Sequence, residues 1–175
     1  WEGNFTYAGD IVAPSFMSFG YTSPACNTTS RTYTVNLTDV SGVASGSLAP
    51  RSYFKVNNGP YSSTIGTLTA GNALNGVWTF SMNYTSVIGD VISFFTVAQD
   101  IASTPNLGAS PGAGFAGIDV NNVTTPPTNP STFAIVGSLA GTYSVMYSGV
   151  FSQIMPCLDG LTDNAIVQHS EGTYG

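Results

Sequence analysis

Residues 76–100 read GVWTFSMNYTSVIGDVISFFTVAQD, two alternating segments joined by Ser-Val-Ile-Gly-Asp. In the first, Trp78, Phe80, Met82 and Tyr84 share one face while Val77, Thr79, Ser81 and Asn83 share the other, the period of two that a half-buried strand imposes. In the second, Val91, Ser93, Phe95 and Val97 alternate with Ile92, Phe94, Thr96 and Ala98, and bulk on both faces predicts a strand near the middle of a two-layer core. The two segments are expected to pair as the central hairpin of a β-sandwich. Residues 31–39 alternate as cleanly, with Tyr33, Val35 and Leu37 opposed to Thr32, Thr34, Asn36 and Thr38, and RSYFKV over 51–56 predicts a third strand. Residues 61–68, rich in Ser, Thr and Gly, predict a weaker edge strand, and the apolar stretch 10–21 with Pro14 suits an edge strand or a strand start.

The intervening segments are turn-rich. SPACNTTS is a connection, SGVASGSLAP a flexible loop, NNGP a turn whose Asn-Gly pair tolerates positive φ, and IASTPNLGASPGAG a long Gly/Pro loop. Residues 115–120 are short and strand-like, and the Pro-rich NNVTTPPTNP is expected to end the ladder. The resulting division is a lead or exchanged strand over 1–9, a sandwich over 10–130 and a C-terminal β extension over 131–175. In that extension residues 133–137 and 143–151 read as a hairpin and 153–161 as a short helix. Regular strand spacing with almost no helical periodicity predicts an all-β, immunoglobulin-like or fibronectin-III-like β-sandwich. A length of 175 residues suits one such domain with extensions.

Composition narrows the partners. Three Lys+Arg against nine Asp+Glu give a net charge of -6, too little positive charge to neutralise a run of phosphates, so nucleic acid is excluded and anionic membrane surfaces are disfavoured. Only 7% of residues are charged while 42 are Ser or Thr, so solubility is expected to come from hydroxyls and amides, with sugars adding to it wherever the chain is glycosylated. No apolar run approaches the roughly 20 residues of a membrane-spanning helix, and no basic-then-apolar signal begins the chain; an exported protein would be seen here in mature or excised form.

The series TVNLTDVSGV, RSYFKVNN and GDVISFFTVAQDIASTPNLGASPGAGFAGIDVNNVTTPP resembles the immunoglobulin-like modules of large secreted and cell-surface proteins of Bacteroidota, including adhesin-like proteins exported by the type IX secretion system. VAQDIASTPN with its Pro-rich exit is the most specific part, and the similarity covers residues 10–130. It implies an extracellular structural or adhesive module and brings no catalytic residues with it.

Candidate chemistry is sparse. Cys26 and Cys157 are the two cysteines, which in an exported protein would form one disulfide tying the tail to the first strands, with two buried thiols as the alternative. Asn-X-Ser/Thr triplets at Asn4, Asn27, Asn36, Asn83 and Asn122 are candidate glycosylation sites against about three expected by chance for such a composition, and Asn36 and Asn83 fall on polar strand faces. His169, the sole histidine, reads as a solvated side chain. Asp39, Asp90, Asp100 and Asp159 lie beside Gly or at strand ends, where Asp serves turns better than acid-base catalysis. Asp100, Asp119 and Asn121 could offer oxygen ligands to calcium, with a turn role as the plainer reading. No other cofactor is indicated.

Aromatic residues crowd the two ends of the chain: Tyr7, Phe16, Phe19, Tyr21, Tyr143, Tyr147 and Phe151. They either complete their own sandwich or fill an edge of a neighbouring copy. The expectation is therefore a non-enzymatic, extracellular or cell-surface building block whose partners are copies of itself or adjacent modules. A sugar-binding accessory module of a secreted enzyme, contacting surface glycans, is the alternative. Trp1 and Trp78 are the only tryptophans, and Trp78 lies on a core face, which leaves little for a sugar platform.

Overall fold

The computed structural model describes residues 9–21 and 29–136. Its alternating segments become strands because each can bury one face, and two antiparallel sheets supply those faces to each other. The first sheet has the order β1 (Ser15–Tyr21), β2 (Ser30–Thr38), β6 (Asn75–Asn83), β5 (Thr67–Gly71). The second runs β11 (Ser131–Ala134), β7 (Val91–Gln99), β3 (Arg51–Val56), β4 (Ser62–Ile65). A further strand, β8 (Leu107–Ser110), pairs with the C-terminal half of β7 on the side where β11 pairs with its N-terminal half. β9 (Ala116–Asp119) and β10 (Asn122–Thr125) form a separate hairpin between β8 and β11.

Between the sheets lie Tyr33, Val35 and Leu37 from β2, Trp78, Phe80 and Met82 from β6, Phe54 from β3, and Ile92 and Phe94 from β7. Burial of each such side chain contributes on the order of 1.5–3 kcal/mol. Tyr33 is the hub of this layer. Its ring lies 5.1 Å from Phe80, stacked, and 5.2 Å from Phe94, tilted. Its hydroxyl shares a 2.8 Å hydrogen bond with that of Thr96, so the one polar atom it carries into the core is satisfied across the two sheets.

The two strong strands of residues 75–99 do not pair with each other. β6 belongs to the first sheet and β7 to the second, so the expected central hairpin is a connection between sheets. Both strands carry an apolar inner face, broken on β7 only by Thr96 with its bond to Tyr33, and those faces satisfy one another by stacking rather than by lying side by side. The bulk on the other face of β7 has a different cause. Phe95 and Val97 point away from the core and form a second cluster with Val120, against which Tyr53, Tyr61, Leu107 and Phe115 pack. The hairpin β9–β10 thus covers the back of the second sheet. Tyr53 donates its hydroxyl to Val120 O at 2.8 Å, and Val120 N–H donates to Gln99 Oε1 at 3.0 Å, fixing the cover to β3 and β7.

Three further expectations are corrected. The edge strand expected over 61–68 is split at Gly66, with β4 in the second sheet and β5 in the first. Gly66 donates its N–H to Pro50 O at 2.7 Å, and a Cβ there would stand 2.6 Å from the Phe80 ring, so the crossing needs a residue without a side chain. The Pro-rich stretch expected to break the ladder starts as β10, because Asp119, Asn121 and Asn122 turn the chain back before the prolines begin. The loop over 41–50, expected to be flexible, is held: Val43 and Ala44 donate to Ala73 O and Gln99 O at 2.8 and 2.9 Å, and Val43, Ala44 and Ala49 are buried. Apart from these three, Ser131–Ala134, at the start of the expected C-terminal extension, pairs with β7, and Ile135 is buried in the core.

The sandwich has two poles. At one, the ends of β2 and β7 meet, with Ile101 N–H donating to Gly42 O at 2.9 Å, and the described chain enters there at Gly9 and Asp10. At the other, Tyr84 N–H donates to Thr29 O at 2.8 Å and Gly89 N–H to Ile135 O at 2.9 Å, and the described chain leaves at Val136.

The Tyr33–Thr96 bond is open to a double-mutant cycle. Tyr33→Phe should lower stability by about 1–2 kcal/mol by leaving the Thr96 hydroxyl buried and unpaired. Adding Thr96→Val should recover most of that loss, read from urea-unfolding midpoints; strictly additive losses would show that the bond couples nothing.

Candidate functional site

The pole where the chain enters gathers acid. Asp10 precedes β1, Asp39 follows β2 and Asp100 follows β7, and one carboxylate oxygen from each lies within 4.8 Å of the others. Strand ends place them there, since the last residue of each ladder must turn and Asp caps turns well. Asp39 Oδ1 accepts from Ser41 N–H and Gly42 N–H, both at 2.9 Å. Asp100, only 1% exposed, accepts from Asn106 N–H at 2.7 Å and from Asn106 Nδ2 at 2.6 Å. Asp10 Oδ2 accepts from the Ser41 hydroxyl at 2.5 Å and Oδ1 from Val12 N–H at 3.0 Å. Asn106 Nδ2 also reaches Asp10 O at 3.1 Å, so this cluster anchors the incoming chain to the loop after β7.

All of these donors are neutral amides and a hydroxyl. The Ser41 hydroxyl, then the Val12 N–H, hold the Asp10 carboxyl below its usual range. Chemically the cluster offers three hard oxygen ligands of the kind calcium takes, with the Ser41 hydroxyl bonded between Asp10 and Asp39 and no thiol or imidazole among the three for a softer metal. Asp100 joins Asp10 and Asp39 in this grouping. Asp119 and Asn121 serve elsewhere: Asp119 Oδ1 accepts from Asn121 N–H at 2.7 Å, and Asn121 Nδ2 donates to Ser47 O at 3.1 Å. Sequence reasoning missed the grouping because its members are far apart in the chain. The shared signal was an Asp just past the end of two strong strands.

Among the candidate glycosylation sites, Asn83 and Asn122 are exposed and Asn36 is half-buried in the middle of the first sheet. Asn122 Nδ2 donates to Asp119 Oδ2 at 2.7 Å. Asn4, Asn27, Cys26, Cys157, Asp159, His169, Trp1, Tyr7, Tyr143, Tyr147 and Phe151 lie outside the described residues. Of the remaining terminal aromatics, Phe16 packs against the core and Phe19 is 39% exposed, stacked 6.4 Å from Tyr33, while Tyr21 ends β1 opposite Tyr33. Trp78 is buried.

Both poles expose apolar side chains. Around the acidic cluster stand Ile11, Val12, Val40, Leu74 and Ile101, with Ile11 and Val40 more than 80% exposed; at the far pole are Val87, Ile88 and Val136. Two of the three cationic side chains, Arg31 and Lys55, sit toward the far pole, Arg31 over the Phe133 ring at 4.1 Å and Lys55 over Tyr61 at 5.0 Å. The far pole also opens into a groove of about 460 Å³ between the end of β6 and the β3–β4 turn.

No protein-family model matches the chain, and no curated protein or solved structure is similar enough to place it in a family.

Asp10, Asp90 and Asp119 are all held below the usual carboxylate range by hydrogen bonds, from Ser41, from Val87 N–H and from Asn122 respectively. A carboxyl whose folded pKa is depressed contributes stability above its unfolded pKa and loses it as pH falls through the folded value. The unfolding temperature should therefore hold steady from neutrality to about pH 5 and fall below about pH 4. Asp10→Asn should flatten part of that acid limb in a pH series of thermal melts; an unchanged slope would show that the cluster does not anchor the chain.

Proposed function

We propose that the protein is a non-enzymatic structural module of an extracellular surface, an immunoglobulin-like sandwich that serves as the building block of a filament or as one unit of a multi-module adhesin. The strand order supports the immunoglobulin-like reading. β1-β2-β6-β5 corresponds to strands A, B, E and D of such domains, and the second sheet to G, F, C and C′, with β8 and β11 sharing the G position around an inserted hairpin. The similarity of residues 10–130 to secreted Bacteroidota modules points the same way.

One observation carries the functional part. The described chain enters at one pole and leaves at the opposite one, and each pole exposes aliphatic side chains. A unit built so joins its neighbours end to end, whether the link is covalent, as in an adhesin, or an assembled contact, as in a fibre. The acid of the first pole faces the Lys55 and Arg31 end of a neighbour in that arrangement. The non-enzymatic reading rests on the acidic cluster, whose carboxylates are engaged by turn amides and by the Ser41 hydroxyl, bonds that tie the incoming chain to the loops after β2 and β7. The sugar-binding alternative finds little support among the described residues, since Trp78 is buried and Tyr53 and Tyr61 pack in the cover of the second sheet.

Negative-stain electron microscopy of native material should show filaments with a subunit-sized axial repeat, set by strands of nine residues at about 30 Å plus their turns. Particles that stay single at every concentration, without a longer parent chain, would overturn the assembly reading.

A further inference from the structure

The far end of β6 is an open edge. Tyr84 N–H bonds Thr29 O at 2.8 Å, so the even-numbered residues of β6 turn their backbone groups toward β2, and those of Ser81 and Asn83 turn the other way. On that side β5 pairs only as far as Thr67 opposite Thr79, because the chain crosses to the second sheet at Gly66. Among the described residues no strand continues the ladder past Thr79. The groove at the far pole opens at the end of this edge, walled by Phe54, Lys55, Val56, Pro60, Asn83 and Tyr84. Phe54 and Tyr84 are core aromatics, 6.5 Å apart edge to face, so an added strand would find backbone partners and apolar pockets together.

We propose that this edge is the acceptor for residues 1–8 of a second copy, paired as an added strand. This rests on the assembly reading above and specifies its contact. Residues 1–8 read WEGNFTYA, with Trp1, Gly3, Phe5 and Tyr7 on one face and Glu2, Asn4, Thr6 and Ala8 on the other, the alternation a strand needs to put rings into pockets and polar groups into solvent. The segment joins the described chain at Gly9, at the acidic pole, opposite the groove. Eight residues reach at most about 29 Å, and the nine-residue strands alone are about 30 Å long, so the segment would be spent before it could line its own groove. Stacked head to tail, the groove of the next copy opens directly above the acidic pole. The contact joins unlike surfaces at opposite poles, so successive copies stack along one axis, which yields a fibre. Lys55 in the groove wall then meets the acid at Asp10 and Asp39.

The test uses two variants of the full chain. Ser81→Pro removes the N–H that faces the open side and leaves the backbone bonds to β2 in place, at the cost of one exposed hydroxyl contact with Thr32, a substitution an edge tolerates. Phe5→Asp with Tyr7→Asp spoils the donor face and leaves the groove intact. Thermal melts establish that each variant folds, with Asn83→Pro replacing Ser81→Pro if the latter does not. Light scattering should then find wild-type protein polymeric, each variant alone at one-subunit mass, and a 1:1 mixture at two-subunit mass with no further growth, since the mixture holds one working donor and one working acceptor per pair. Variants that polymerise like wild type, or that stay single when mixed, would overturn this contact while leaving assembly standing. A wild-type protein that never assembles would overturn both.

Discussion

The stacking of two apolar faces across Tyr33 is the constraint from which the remaining architecture follows. Its ring touches partners from both sheets and its hydroxyl finds Thr96 on the opposite one, so the facing of β2 and β7 is fixed by packing and by a directional bond at once. With β7 held face-on to β2, its alternate residues Phe95 and Val97 must point outward into water unless something covers them. The β9–β10 hairpin is that cover. It is inserted in the middle of an edge position, so the strand beside β7 comes in two pieces, β8 and β11.

The same packing sets the path of the chain along the other side. Phe80 fills the space beside Gly66, which lets the backbone pass close enough to bond Pro50 and switch sheets. Leaving the second sheet there gives β5 to the first sheet for only half the length of β6. A core contact and an unpaired stretch of edge thus share one cause.

Strand positions were largely legible in the sequence, because alternation at Tyr33, Val35 and Leu37 or at Trp78, Phe80 and Met82 reports directly that one face is buried. Alternation does not say against what. Residues 76–100 read as a hairpin since a short turn joins two strands, yet the strands face rather than flank each other. Gly66 was hidden for a related reason: its role comes from a ring fourteen places away, and nothing adjacent to it marks a crossing. The doubly apolar β7 was visible, but its cause, a distant insertion, was not. At the acidic pole each Asp could be read as a turn former, and each is one; their meeting is a product of topology, which brings together the ends of strands that are remote in the chain.

β1 and β11, where the described chain enters and leaves, bear on how the unit would carry tension. Pulling upward on β1 and downward on β11 slides each strand along its neighbour rather than peeling it away, so the rungs of a ladder resist together instead of breaking one at a time. β1 holds β2 along its whole length, whereas β11 has only four residues against β7. Under such a pull β11 would slip first, drawing Phe133 and Ile135 out of their end of the core, and the extra length released from the β8–β11 insertion would act as an extensible link while β2 and β6 stayed stacked on β3 and β7.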